Sequence, residues 1–372
     1  MTMRPRSIAG IHRRGTTGRD TTRAGLTRRS LGLGAAAAAL SFGLVACGSG
    51  TTEAGTEGAG EDDGQGASGA AFPVEIESAL GTATIEEKPE RVVTIGQGSA
   101  ETAIALGTVP VGIEAYPWGA DPESGYLPWI EEEVTASGGA LPEQWGGDGT
   151  IDTEAIIALD PDVVLAPWSG ITQEEYDALS AYAPVVAYPE QPWTIEWQDQ
   201  IEIIGQALGE SEAAAEAITG VEETLASAAK PEYEGLTYSF VYTNGPGTLG
   251  AFYPEEQRSA TVAAMGLTPD PVIEDMRSQF DAPGTMSALV GLENADMLAD
   301  SDLLFTFYTD EESRKEIEGQ DLYASIPAVE RGSVVAPTDP SLVTASSIIN
   351  PLTVEWMLDE YQVLIDEAVA KL

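Results

Sequence analysis

The sequence predicts an α/β protein of two lobes with mainly parallel sheets, joined by a long helix. Three observations carry that expectation. From residue 72 onward, short β-branched runs alternate with helical patterns, as in parallel sheets covered on both faces. One stretch, 196–229, stays helix-compatible for over thirty residues. The halves on either side of it echo each other at separations of 139 and 140 positions.

In the first half, strands are expected at 91–96 (RVVTIG), 109–116 (VPVGIEAY), 162–167 (DVVLAP) and 184–188 (PVVAY). Helices fall between them at 100–106, 153–159 and 173–181. The long helix is rich in Ala, Glu, Ile and Leu; Gly205, Gly209 and Gly220 bend it or divide it in two, and Pro231 stops it. Beyond it come strands at 237–243, 302–309 and 333–337, and helices at 259–265 and 353–369. The expected boundaries are therefore 72–195 for the first lobe, 196–230 for the connection and 231–372 for the second.

The echo is residue by residue. Glu154-Ala-Ile-Ile-Ala-Leu159-Asp-Pro-Asp162 precedes the strand VVL, and Glu293-Asn-Ala-Asp-Met297-Leu298-Ala-Asp-Ser-Asp302 precedes LLF. Ala105-Leu106-Gly107 is matched by Ala264-Met265-Gly266, both short helices closed by glycine.

The first forty-six residues read differently. They hold eight arginines and a single acid, Asp20, followed by the uncharged stretch 31–46 (LGLGAAAAALSFGLVA). A helix of sixteen residues rises about 24 Å, short of a ~30 Å hydrocarbon core, so the segment reads as a signal peptide and not a membrane span. Leu44-Val45-Ala46-Cys47 resembles the lipobox of bacterial lipoproteins, which makes Cys47 the point of cleavage and lipidation. Thr27-Arg28-Arg29-Ser30-Leu31 resembles the twin-arginine export motif. Residues 48–71 contain no aromatic or branched aliphatic residue, and with Cys47 they form a flexible acidic linker.

Past residue 46 the chain has nine basic and sixty acidic residues, a net charge of −51, which excludes nucleic acid as a partner and suits solubility outside the cell. The sole histidine, His12, leaves with the signal, and the sole cysteine is the lipidation site. Histidine-dependent nucleophilic catalysis is then excluded, as are metal sites built on imidazole or thiolate. Carboxylate chemistry survives, so an extracytoplasmic glycosidase is the alternative from another class, and a sensing surface receptor a third.

Gly96-Gln97-Gly98-Ser99 sits where a strand gives way to a helix. A dinucleotide loop would need glycine or alanine at position 101, which is Glu101, so Ser99 reads instead as an N-cap with Glu101 in the first turn. This strand end is nevertheless where open α/β sheets bind ligands. Aromatics gather at such ends: Tyr116 and Trp118 after the second strand, Trp168 after the third, Trp193 after the fourth, and Trp145 in a Gly-rich loop. The second half adds Tyr253 and Tyr308. Each has a core-packing explanation; together they fit a broad, flat-walled pocket. Arg258 and Arg277 are cations that either contact an anionic ligand or pair with one of the many acids. Asp152 reads as an N-cap with a staple between Ile151 and Ile156, which explains Glu154 in the first turn but not its counterpart Glu293.

Four segments, KPERVVTIGQGSAETAIALGTVPVGI (88–113), IDTEAIIALDPDVVLA (151–166), LENADMLADSDLLF (292–305) and IPAVERGSVVAP (326–337), resemble the iron–siderophore substrate-binding lipoproteins of ABC importers. The resemblance implies a class III substrate-binding protein, with two Rossmann-like lobes joined by a long rigid helix and a ligand in the groove between them. It implies no catalysis, no cofactor beyond the iron chelate carried as cargo, and a monomer lipid-anchored on the outer face of the cytoplasmic membrane. Glu154 and Glu293, one per lobe, would dock onto arginines of a permease dimer. Gln97, Tyr116, Trp118, Trp145, Trp168 and Trp193 would line the groove from one side. Asn244, Tyr253, Arg258, Arg277 and Tyr308 would line it from the other. Few arginines favour a ferric hydroxamate over a tricatecholate. Haem and cobalamin are carried by relatives of this architecture and stand as alternatives, with Tyr and Met left as axial haem ligands.

Overall fold

The computed structural model describes residues 72–147 and 149–372. Cys47, the Arg28-Arg29 pair, His12 and the linker 47–71 lie outside the described residues. A hairpin opens the described chain, β1 (Val74–Ser78) and β2 (Gly81–Ile85). The first half then runs β3 (Val92–Thr94), α1 (Ser99–Ala105), β4 (Gly112–Glu114), α2 (Pro128–Ala136) and β5 (Glu143–Trp145). It continues with α3 (Thr153–Ala158), β6 (Val163–Ala166), α4 (Gln173–Ser180) and β7 (Val185–Ala187). Two helices, α5 (Trp197–Leu208) and α6 (Ser211–Ser227), cross to the second half.

There the order is β8 (Thr237–Tyr242), β9 (Gly250–Phe252), α7 (Gln257–Ala264), β10 (Thr268–Pro269), α8 (Val272–Phe280) and β11 (Ser287–Leu289). A 3-10 helix, Leu292–Leu298, leads into β12 (Leu303–Phe305). Then come α9 (Glu311–Glu318), α10 (Asp321–Ala324), α11 (Pro327–Arg331), β13 (Val334–Val335), α12 (Pro340–Ala345) and α13 (Pro351–Val369).

The first half folds around a parallel sheet of order β5-β4-β3-β6-β7. The second carries β11-β9-β8-β12-β13, with β10 beside β8; the core pairs β10–β8, β8–β12 and β12–β13 are parallel, while β9 is antiparallel to both neighbours. The central strands are continuous apolar runs because helices cover both faces. VVT, VVLA, VVA and LLF are buried at every position.

Each sheet is pinned at its amino end by an aspartate from the echoed segments. Asp162, just before β6, accepts hydrogen bonds from the backbone N–H of Glu90 (2.8 Å) and Arg91 (3.0 Å), ahead of β3. Asp302, just before β12, accepts from the Thr237 N–H at 2.9 Å, at the start of β8. The sequence echo is thus the same device used twice. Helices α1 and α7 also close alike, with Leu106 and Met265 as C-caps before Gly107 and Gly266.

The crossover is helical as expected, in two pieces. Gly209, at φ +72°, takes the left-handed conformation that ends α5, and Glu210 N–H donates to the Gly205 carbonyl at 2.7 Å. Two residues later α6 begins, so the break follows from one glycine. The strands are shorter than expected: only Gly112–Glu114 of 109–116 pairs as β4. Pro110 has no N–H to offer the sheet, and beyond Glu114 the chain leaves for the site loops. Ser99 is not the N-cap; Gly98 is, at φ +80°, and Ser99 is the first helical residue with its side chain buried.

Removing the Asp302 carboxylate (Asp302→Ala) orphans a half-buried N–H at the start of β8. The expected cost is about 1–3 kcal/mol, read as a lowered denaturation midpoint with an unchanged urea m-value. Asp162→Ala, at a more exposed site, is expected to cost less.

Candidate functional site

In a parallel sheet the carboxyl ends of the strands open onto ligand loops, and here those loops of the two halves meet. After β4, the Trp118 indole N–H donates to the Thr309 carbonyl, past β12, at 3.4 Å. The Ser341 hydroxyl of α12 donates to the Gly119 carbonyl at 3.0 Å. Between them lies a cavity of about 180 Å³, lined by Gln97, Glu114, Tyr116, Trp118 and Gly147 of the first half and Thr344 of the second. A larger cleft of about 360 Å³, backed by Trp129 and Trp356, lies between α2 and α13, away from any strand end.

The last residue of β4, Glu114, carries the cavity's polar chemistry. One carboxylate oxygen, Oε2, accepts the Gly96 N–H at 2.9 Å and the Tyr116 hydroxyl at 3.2 Å. Burial pushes this carboxyl above its usual range, although both hydrogen bonds pull the other way. The Tyr116 phenol is pushed far upward by burial and by the charges of Glu114 and Glu101. Glu101, in the first turn of α1, is buried, the Trp129 indole donates to it at 3.1 Å, and burial raises it too. Glu101 stands there as expected, and Trp129 of α2, a helix absent from the sequence reading, packs against it.

The loop carrying Gln97 is held from two directions. The Gln97 carbonyl accepts from Gln200 Nε2 of α5 at 2.8 Å, tying the loop to the crossover. Gly96 has φ +81°, and a Cβ there would stand 1.9 Å from the Trp168 carbonyl oxygen. Only glycine lets the loops after β3 and β6 touch.

Trp168 and Trp193 form an edge-to-face pair with centroids 4.6 Å apart. Trp193 is 47% exposed and has φ +64°, an outlier for a bulky residue. Trp145, expected in a loop, is instead the last residue of β5, paired with β4 and 4% exposed in the first half's core.

In the second half, Arg258, Arg277, Tyr253 and Tyr308 already have partners. The Arg258 guanidinium pairs with Glu256 and lies over the Phe252 and Phe307 rings, 5.0 and 5.6 Å from their centroids. Arg277 pairs with Glu255 at 2.5 Å and Glu274 at 3.4 Å, and stacks on Tyr253 at 4.1 Å. Tyr253 is buried and donates to Asp281 at 2.7 Å. Tyr308 is buried against Tyr323, their hydroxyls 3.2 Å apart. Asn244 is exposed in the turn after β8. Gln97, Tyr116 and Trp118 thus share one cavity, Trp168 pairs with Trp193, and Tyr253 with Arg277. Glu114, Gln200 and Thr344 escaped the sequence reading. Of these only Glu114 left a signal, a lone acid ending the apolar run VPVGI.

Glu154 and Glu293 are both exposed, each in the first turn of the helical segment preceding its equivalent strand, β6 or β12. Asp152 does cap α3, accepting from the Ala155 N–H at 2.9 Å.

Two α/β halves whose sheets offer their carboxyl ends to a shared groove define a bilobal binding protein. The profile of the family described as "Periplasmic binding protein" matches residues 92–340, and the chain belongs to that family. Its fold is similar to that of Streptococcus pneumoniae PiaA, solved in complex with ferrichrome, with a TM-score of 0.73 and 28% identity over 80% of this chain and 99% of that one. The ferric enterobactin-binding periplasmic protein FepB of Escherichia coli is 25% identical over 295 residues, 71% of this chain and 84% of FepB. A cobalamin-binding protein of Halobacterium salinarum is 37% identical over 97 residues, 26% of this chain; the match spans only 23% of that protein. Among the described residues, no helix is long and apolar enough to cross a membrane.

Gly96→Ala is expected to force the loops after β3 and β6 apart. Destabilisation of about 1–3 kcal/mol and a changed Trp168–Trp193 near-ultraviolet signal are the readouts. A variant with unchanged stability and spectrum would show that the contact is not required.

Proposed function

We propose that this protein captures a ferric siderophore of the hydroxamate type in the groove between its halves and hands it to an ABC importer. The observation that carries the reading is the charge state of the groove residues. Arg258 and Arg277 are each tied to carboxylates, while the opposite wall offers aromatic surface and a carboxylate. Such a groove suits a neutral or weakly charged chelate better than a polyanionic one. The likeness to ferrichrome-bound PiaA over most of both chains supports the same ligand class. The match to a cobalamin-binding protein favours a corrinoid as the second reading.

In this reading the protein works outside the cytoplasmic membrane, held to its outer face by a lipid on Cys47 after export, and acts as a monomer without catalysis. The carbonyl-end loops, with Trp118, Trp168 and Trp193, grip the chelate. Glu154 and Glu293, exposed at equivalent positions of the two halves, each meet an arginine of one permease subunit. A mirrored pair of carboxylates matches a two-fold partner.

Tryptophan fluorescence titrations with ferric hydroxamates, ferric catecholates, haemin and cobalamin test the ligand. Quenching that saturates at low micromolar ferric hydroxamate is expected, and no response to any chelate would overturn the reading. For docking, Glu154→Ala combined with Glu293→Ala should abolish uptake while changing ligand affinity less than about twofold. A large affinity loss would place both residues in ligand binding instead.

A further inference from the structure

The cavity beside Trp118 is more specific than a general chelate groove requires. Among the described residues that line it, the one acid is Glu114, which is half-buried without a cation to balance it. Among the described residues no basic side chain forms an ion pair with Glu114, in contrast to Glu210, Glu255, Glu256, Glu274, Glu318 and Asp366, each of which has one. Both hydrogen bonds that the described residues make to it fall on Oε2, so Oε1 accepts none from them. A carboxylate drawn partly out of water without a counter-charge is costly, and the buried Glu101 of α1 acts electrostatically on the same Tyr116 phenol.

The walls have the complementary character. Tyr116, Pro117 and Trp118 line it, together with Gly147 and Gly149. Aromatic faces attract a cation that has shed its water. A cavity of about 180 Å³ has room for more than one water, and so for a short aminoalkyl arm.

We propose that this cavity is a subsite for an alkylammonium group, so that the preferred ligand is a ferric hydroxamate bearing a pendant primary amine. This rests on the siderophore-capture reading and narrows it. The ammonium would donate to Glu114 Oε1, with Tyr116 and Trp118 against its methylene and cationic face, while the metal-bearing body of the chelate occupies the groove outside. Thr344 closes the cavity from the second half, so filling the subsite also joins the two halves.

The test uses the full chain and two ligands, a linear ferric trihydroxamate ending in a primary ammonium and the same chelate N-acetylated. The ammonium form is expected to bind roughly tenfold more tightly, with the preference shrinking as salt rises. Glu114→Gln keeps the acceptor for Gly96 N–H and should bring the two affinities within about twofold. Trp118→Leu, at an exposed position, should reduce the preference as well and serves if Glu114→Gln does not fold. Equal affinities in the unaltered protein, or an unchanged ratio in both variants, would overturn the subsite while leaving siderophore capture intact. Failure to bind either chelate would overturn both.

Discussion

Asp162 and Asp302 hold the structure's organising contact. Each stands at the amino end of a buried parallel strand and captures the first backbone amides of the strand beside it. In a parallel sheet a shift of register turns every side chain to the other face. With β3 set against β6 and β8 against β12, the carboxyl ends of neighbouring strands come out level. The site loops then start from fixed points. Placement of Gly96 against the Trp168 carbonyl, and of Glu114 beneath Gly96, follows from that alignment.

The two halves contribute unequally to the groove. The first presents aromatic surface, a partly buried carboxylate and close backbone contacts. The second lines the cavity with Thr344; its Arg258 and Arg277 already face carboxylates, and its buried Tyr253 and Tyr308 hydroxyls have hydrogen-bond partners. A chain this acidic neutralises its few cations internally, and the chemistry left open to a ligand is apolar or anionic. Gln200 and the crossover helix tie the Gln97 loop to the frame, so that loop is braced before a ligand arrives, which reduces the ordering cost of binding.

Much of this could be read from sequence. Buried parallel strands announce themselves as β-branched runs, and VVT, VVLA, VVA and LLF lie where those runs predicted. The echo between Glu154–Asp162 and Glu293–Asp302 proved to be a repeated structural device. Some missed elements were legible, such as the hairpin β1–β2 with its alternating buried and exposed positions; others are too short to show a period. Strands β9 and β11 are three residues long and antiparallel, with β11 at the sheet edge. Helix α2 begins with Pro128 in its first turn, a legible start, yet its apolar positions are too few to stand out. Site residues were harder, because whether a loop aromatic faces a groove or a core depends on contacts far away in sequence. Trp145 went into a strand and the core; Trp118 stayed on the rim only because Thr309, 191 positions away, meets its indole.

A crystal structure of the full chain with a ferric trihydroxamate bound tests the central claim most directly. The account predicts metal density between the carboxyl ends of the two sheets, with the chelate touching the loops after β4 and β6 and residues of the second half. Density instead in the larger cleft between α2 and α13, against Trp129 and Trp356, would contradict it.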